Sequence, residues 1–323
     1  MKYLLLTLLT LATAVTCLTT GAVHIPLGDV VSILLGDKEI APNWQYIVWQ
    51  MRVPAMLTAA LTGASLGVAG LLLQSYFRNP LAGPSILGIT NGANLGVALV
   101  IVGTGSSAGA GTIGAALVGA MLTLLLLLLV GRVVRQSVTL LIVGILLSYL
   151  SSAILTLIHY NASADGVQAL LLWGMGSFHQ VGLPHLPLYA LCCLIPLGLS
   201  LLLIRPLNGW MLGEYYARNL GISTQWVRWG VLLVTGIICA VTTAWCGPIA
   251  FIGLSIPHVA RMLFRTDNHR TLLPTSMLLG ALCALLCLAL CTAPSGGQTL
   301  PINAVTPLFG IPVILYVILS KNR

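Results

Sequence analysis

Residues 113–158 read IGAALVGAMLTLLLLLLVGRVVRQSVTLLIVGILLSYLSSAILTLI. Two apolar runs, 113–131 and 138–158, are parted only by a short stretch carrying Arg132 and Arg135. Neither run alternates apolar with polar residues, so neither has the period of a half-buried strand. Each is continuous and leucine-rich, about 20 residues long, the length at which a helix crosses a hydrocarbon core of about 30 Å. With no water to bond to, backbone N–H and C=O groups in such runs close their hydrogen bonds within a helix. The stretch is read as two membrane helices joined by a basic turn.

The rest of the chain repeats the pattern. Of 323 residues, 58% are hydrophobic and 6% charged, whereas about a quarter are charged in a soluble domain. That inventory cannot make a water-soluble surface. The expected fold is an all-α, polytopic membrane protein of about ten transmembrane helices, a single domain over residues 1–323. The expected spans are 3–20, 50–75, 84–104, 113–131, 138–158, 187–204, 228–246, 248–264, 272–292 and 304–320. The first imitates a signal peptide, but Ala14, Val15 and Thr16 before Cys17 match a lipoprotein cleavage site poorly and more spans follow, so it is expected to stay as the first helix. Residues 167–178, VQALLLWGMGSF, are too short to cross and are expected as a short helix at the outer mouth.

Charge sets the orientation. With both termini inside, the inner basic residues are Lys2, Arg78, Arg132, Arg135, Arg205, Arg218, Arg228, Arg261, Arg265, Arg270, Lys321 and Arg323; only Lys38 and Arg52 fall outside. This positive-inside bias supports the span count and places both termini in the cytoplasm. The net charge of +8 is scattered singly between apolar runs, a topology signal rather than a nucleic-acid surface. Asp29, Asp37, Glu39 and Asp165 fall in outer loops, Glu214 and Asp267 in inner ones. No carboxylate stands within a span to couple a proton or sodium ion, which argues against a secondary carrier. The chain's three lysines, Lys2, Lys38 and Lys321, have no P-loop context. If ATP drives this protein, a separate subunit hydrolyses it and docks on the inner face. No catalytic constellation appears, and a non-transport membrane scaffold is the remaining alternative.

Cys283, Cys287 and Cys291 share one helix face. Three thiolates suit a soft metal, but nothing acidic or imidazole-bearing is near them in sequence, and they are read as small packing residues. His24, His159, His179 and His185 fall on the outer side, where they invite a haem or metal reading but are read as ordinary interfacial residues.

The longest polar inner loop is RPLNGWMLGEYYARNLGISTQWVR, 205–228. Trp210, Leu212, Tyr215, Tyr216 and Leu220 would form the apolar face of one short helix lying along the membrane. Glu214 near its start is favoured by the helix dipole, and Gly221 suits its end. Two readings stand: an interfacial helix resting in headgroups, or a coupling helix that inserts into a cytosolic ATPase.

The pattern Asn208, Leu212, Gly213, Glu214, Ala217, Leu220, Gly221 resembles the coupling loop of permeases in the FecCD/BtuC family, the membrane subunits of ABC importers for iron–siderophores, haem and vitamin B12. The stretches 52–96, 247–274 and 300–319 resemble that family's other signatures in the same order, over nearly the whole chain. The resemblance implies a BtuC-like fold and a non-enzymatic subunit that imports a large metal chelate, with its coupling loop at about 206–226. It implies a homodimer in the inner membrane, in contact with membrane lipid. A cytosolic ABC ATPase dimer would carry the ATP and Mg²⁺, this chain binding no cofactor or metal itself. A periplasmic or lipid-anchored binding protein would deliver the ligand.

By the same resemblance, Asn79 and Leu81 in RNPLAGP, with Ser137 and Val138, fall at the cytoplasmic gate. His258, Arg261, Asp267, His269 and Arg270 order or touch the inner loop near the ATPase. Arg52 docks the binding protein. The family's second arginine three positions on is here Ala55, and its Asp and Arg in the ninth span are Leu288 and Thr292. That leaves APSGGQT, 293–299, to dock by shape and backbone.

Overall fold

A computed structural model describes residues 1–36, 40–104, 110–134, 136–293 and 299–321. Asp37, Lys38, Glu39, Arg135 and Arg323 of the charge tally, and most of APSGGQT, lie outside the described residues.

The architecture is helical throughout the described residues. Helix α1 (Lys2–Thr19) is followed at the outer end by α2 (Leu27–Leu34) and α3 (Pro42–Tyr46). A π-turn over Ile47–Arg52 joins α3 to α4 (Val53–Phe77) as one 36-residue helix. That helix starts well before the span expected at 50–75. A proline ring clashes with the carbonyl four residues back in a regular α-helix, and the turn preceding Pro54 is the widened one. Next come α5 (Ile89–Thr104), α6 (Ala110–Val133), α7 (Ser137–Asn161), α8 (Ala164–Gly174) and α9 (Leu186–Leu202). Two short helices, α10 (Ile204–Met211) and α11 (Glu214–Asn219), lead into α12 (Thr224–Cys246), α13 (Ile252–Phe264), α14 (His269–Thr292) and α15 (Ile302–Lys321).

Helices stand at all ten expected span positions. Among the described residues, seven are long and apolar enough to cross a bilayer, while α5, α13 and the Ile302–Val317 stretch of α15 are shorter. Two boundaries differ from expectation for a clear reason. The span expected at 84–104 opens with a 3₁₀ turn, Pro84–Leu87, closed by left-handed Gly88 at φ 77°. The span expected at 248–264 is not helical up to Phe251, and α13 has only 13 residues, about 20 Å. Gly247 (φ 73°) and Phe251 (φ 66°) are left-handed, and Pro248 has no N–H to offer a helix.

Irregular backbone at membrane depth must be satisfied by protein, and Asn303 of α15 does this. Its Oδ1 accepts from the Ala250 N–H (3.1 Å), and its Nδ2 donates to the carbonyls of Pro248 (2.6 Å) and Gly174 (3.1 Å). The Ser177 N–H donates to the last carbonyl of α12, Cys246 (2.8 Å). This knot also fixes α8, which runs 164–174 rather than over 167–178, with Ser163 capping its start through the Gly166 N–H.

At the centre stands α4, buried along most of its length and packed by α9, α12, α13 and α14. Its Gly63, Gly67 and Gly70 allow backbone-to-backbone approach. A methyl group on Gly63 would overlap the Gly280 carbonyl of α14, and one on Gly70 the Gly253 carbonyl of α13. Between apolar helices in lipid, such close packing replaces the hydrophobic drive that water supplies to soluble proteins.

The charged residues segregate as the sequence implies. Lys2 Nζ donates to the Leu263 carbonyl at the end of α13 (2.8 Å), and Arg228 to those of Gly131 and Val134 at the end of α6 (2.9 and 2.6 Å). Both lie at one end of the bundle, the basic end. Arg52 lies at the other, where its guanidinium donates to the carbonyls of Leu18 (2.6 Å) and Val23, tying α4 to the end of α1.

Candidate functional site

At the basic end, the last turn of α4 reads QSYFR, Gln74–Arg78, and its side chains reach several different elements. Gln74 donates to the Leu254 carbonyl in α13 (3.0 Å) and accepts from Arg261 (2.7 Å). Ser75 meets His269 Nε2 at the start of α14 (2.7 Å). The Tyr76 carbonyl accepts from the Trp210 indole of α10 (2.9 Å), and the two rings stack at 5.5 Å. The Tyr76 hydroxyl accepts from Arg228 of α12 (3.1 Å). Arg78 donates to the Trp210 carbonyl and lies over its ring. One turn of helix therefore binds α10, α12, α13 and α14 together.

Asn208 of α10 strengthens the joint. Its Oδ1 accepts from both the backbone N–H (2.9 Å) and Nδ1 (2.7 Å) of His269, and its Nδ2 donates to Asn268 Oδ1 (3.0 Å). Since an amide oxygen only accepts, the proton of His269 is on Nδ1, leaving Nε2 to accept from the Ser75 hydroxyl. Arg261 also pairs with exposed Asp267 (3.5 Å). Asp267 and Arg270 are exposed, whereas His258 and His269 are buried. Of the five residues expected near the ATPase, the two histidines and Arg261 thus spend side-chain contacts on holding helices together.

The turn after α4 is equally constrained. Arg78 ends the helix in the left-handed region (φ 48°), and Asn79 Oδ1 accepts from the Leu81 N–H (2.9 Å). His258 Nε2 donates to the Pro80 carbonyl (2.8 Å). Leu81 is exposed, as is Val138, one residue into α7 from Ser137. The two elements meet through the Pro84–Leu87 turn, which packs on Gly144 of α7.

The loop expected to hold one amphipathic helix holds two. Gly213 at φ 123° separates α10 from α11, a conformation that side-chain-bearing residues rarely adopt. Trp210 was expected on the outer apolar face, but it turns inward onto Tyr76 and is 5% exposed. Ala217 is fully buried beneath α11. Leu212, Tyr215, Tyr216 and Leu220 are between 63% and 74% exposed. Glu214 forms an i,i+4 pair with Arg218 (2.8 Å), and Gly221 (φ 76°) follows the helix end. The result is a small polar platform, anchored below by Asn208, Trp210 and Ala217, presenting four large apolar side chains outward.

At the opposite end, His179 is exposed in the 3₁₀ turn Phe178–Gln180, and its backbone N–H is capped by the Ser177 hydroxyl (3.2 Å). His24 is exposed. Among the described residues no three His, Cys, Asp or Glu side chains gather as a metal-holding group. The eight cysteines are free, with Cys287 and Cys291 buried in α14.

The sequence reading missed Gln74, Ser75, Tyr76 and Asn303. A polar pair inside an otherwise apolar helix end, and an asparagine opening an apolar run, were the available signals.

The chain matches the model of the FecCD transport family over residues 8–320. It is 35% identical over 314 residues to the vitamin B12 import system permease protein BtuC of Citrobacter koseri, covering 95% of this chain and 94% of that one. The BtuC protein of Salmonella paratyphi A is also 35% identical, over 305 residues, with 92% and 93% covered. A solved inward-facing structure, assigned to the metal-chelate type of ABC transporter, superposes with a TM-score of 0.86 at 32% identity, covering 98% of this chain and 97% of that one. PsaBC from Streptococcus pneumoniae, solved with a Fab, shares the fold at a TM-score of 0.58 and 16% identity.

Proposed function

The chain belongs to the FecCD transport family, and from that premise we propose that it is the membrane subunit of an ATP-driven importer for a large metal chelate, with corrinoids the first cargo to test. Two copies enclose the pathway, a cytosolic ATPase dimer binds ATP and Mg²⁺, and a binding protein outside delivers the ligand. Both termini lie in the cytoplasm.

One observation carries this reading: the anchored platform with Leu212, Tyr215, Tyr216 and Leu220 exposed at the basic end, in a chain that offers no P-loop. Large apolar side chains on a rigid polar base suit a protein partner, since interface anchors are enriched in aromatic residues seated in pockets. The machinery for transmission sits directly beneath. Trp210 and Asn208 bind α10 to the ends of α4 and α14, so a displacement of the platform moves α4 with it. The turn bearing Asn79 and Leu81 continues from α4 and moves as its extension. Rigid-body shifts of packed helices are a common currency of such switching. Arg52 keeps donors beyond the two bonds it makes to the Leu18 and Val23 carbonyls, which leaves it able to meet an acidic binding-protein surface.

The cargo assignment rests on the relatives, which are vitamin B12 import permeases. The test is uptake into proteoliposomes holding this permease and its ATPase, with the binding protein supplying cyanocobalamin, haem or a ferric siderophore. Cyanocobalamin is expected to accumulate only with ATP and the ATPase. Uptake driven by an ion gradient without the ATPase would overturn the transport mechanism. ATP-dependent uptake of another chelate alone would overturn the corrinoid assignment.

A further inference from the structure

Beside α11, where the basic ends of α6 and α12 meet, lies an open groove of about 970 Å³. Its apolar wall includes Leu125, Leu128 and Leu129 of α6 with Trp229 and Leu233 of α12. Among the described residues, its polar rim carries Arg132, Arg218 and Arg228, with Glu214 the one acidic side chain.

We propose that this groove binds one anionic phospholipid, its phosphodiester on the arginine rim and an acyl chain along the leucine wall. Three observations select that occupant. First, the leucine wall continues into a lipid-type surface, since Leu122, Leu125, Leu126 and Leu129 are each about half exposed on α6. Second, polarity changes along the groove as it does across a leaflet, from leucines through an indole to guanidinium groups. Tryptophan favours that headgroup boundary. Third, three arginines against one carboxylate leave a net positive rim. Arg228 holds its place by donating to the last carbonyls of α6 and to Tyr76. Arg218 shares its charge with Glu214, and Arg132 is exposed with no hydrogen bond or ion pair to a described residue. An arginine can grip two phosphate oxygens at once. A neutral headgroup would leave this charge unmatched.

The site does not depend on which cargo is carried. It touches the platform, because Glu214 and Arg218 of α11 form part of its rim. A bound lipid would therefore steady the segment that faces the proposed ATPase, making that leaflet's composition an input to coupling.

The test uses the full-length permease in nanodiscs of phosphatidylcholine doped with a photoactivatable phosphatidylglycerol, or with the matching phosphatidylcholine probe. Labelled peptides are mapped by mass spectrometry. The phosphatidylglycerol probe is expected to label residues 125–132 and 225–233 at least about five-fold more than the phosphatidylcholine probe, the ratio that one basic contact near a membrane gives. Arg132→Gln is expected to remove most of that preference and Arg132→Lys to retain it. Arg132 is exposed and unbonded to described residues, so neither change threatens the fold. Equal labelling by both probes, or a preference unmoved by Arg132→Gln, overturns the proposal. So does competition by millimolar inorganic phosphate, which would show an anion site without a lipid. Loss of labelling once the ATPase subunit is bound would assign the groove to that protein and likewise overturn it.

Discussion

Gly70→Leu is expected to prevent the helical bundle from assembling. The Gly70 Cα faces the backbone of Gly253 where α4 crosses α13, and even a methyl group there overlaps the Gly253 carbonyl. Overpacking in a core with flexible neighbours costs about 1–3 kcal/mol. Here the obstacle is backbone, in the short helix α13 whose start is fixed by Asn303 and whose end is tied to Lys2. Leucine adds three further carbons that have no space, so the expected cost exceeds that range. Fluorescence-detected gel filtration and thermal unfolding in detergent would read this as loss of the monodisperse species. Gly198→Leu in α9 is the matched control. Nothing lies within 4 Å of a Cβ added there, Gly198 is exposed, and wild-type behaviour is expected. Normal folding of Gly70→Leu would mean that α4 and α13 do not cross as described.

The second large effect concerns the platform. Tyr216→Asp combined with Leu220→Asp is expected to abolish capture of the ATPase subunit while leaving the permease folded. Both side chains are 63% exposed, and surface changes of this kind usually shift stability by no more than about 0.5 kcal/mol. Removing an interface anchor typically costs at least about 2 kcal/mol, roughly 30-fold in affinity for each. Glu214→Arg sets two like charges four residues apart. It removes an exposed pair that stabilises a helix by at most about 0.5 kcal/mol, so the protein stays inserted, and it is expected to reduce ATP-linked uptake. We propose the apolar face as the main grip, because the Glu214 carboxylate is already shared with Arg218 while Leu212, Tyr215, Tyr216 and Leu220 are largely exposed. Unchanged co-elution of the double variant with the ATPase would remove the platform from the account.

The helices were legible because leucine runs of bilayer length leave little alternative. The interruptions were less so. The run at 248–264 stays apolar across its break, so hydropathy passes over a left-handed Phe251 and a backbone knot closed by Asn303. Gly247 and Pro248 were the local clue. The platform was legible through its motif, with Gly213 and Gly221 both adopting the positive φ that glycine tolerates. The direction of Trp210 was not, since an indole suits an interface and a core alike and its partner Tyr76 lies 134 residues away. The α4 joint was invisible for the same reason. Ser75 and His269 are 194 residues apart, and neither forms a local pattern that announces the other. Arg52 stood out as one of two outer cations, but only the fold shows that it binds the end of α1. The roles in gating and docking at Asn79, Leu81, Ser137, Val138 and Arg52 are what the family resemblance implies.

The central claim is that the Leu212–Leu220 platform is where an ATPase subunit docks and α4 is what it moves. Hydrogen–deuterium exchange of the permease, alone and in complex with the ATPase, tests it most directly. The account predicts strong protection over residues 211–222, with a smaller change at 74–82 that appears only when ATP is bound. Complex formation with 211–222 unprotected, and protection elsewhere on the basic end, would contradict it.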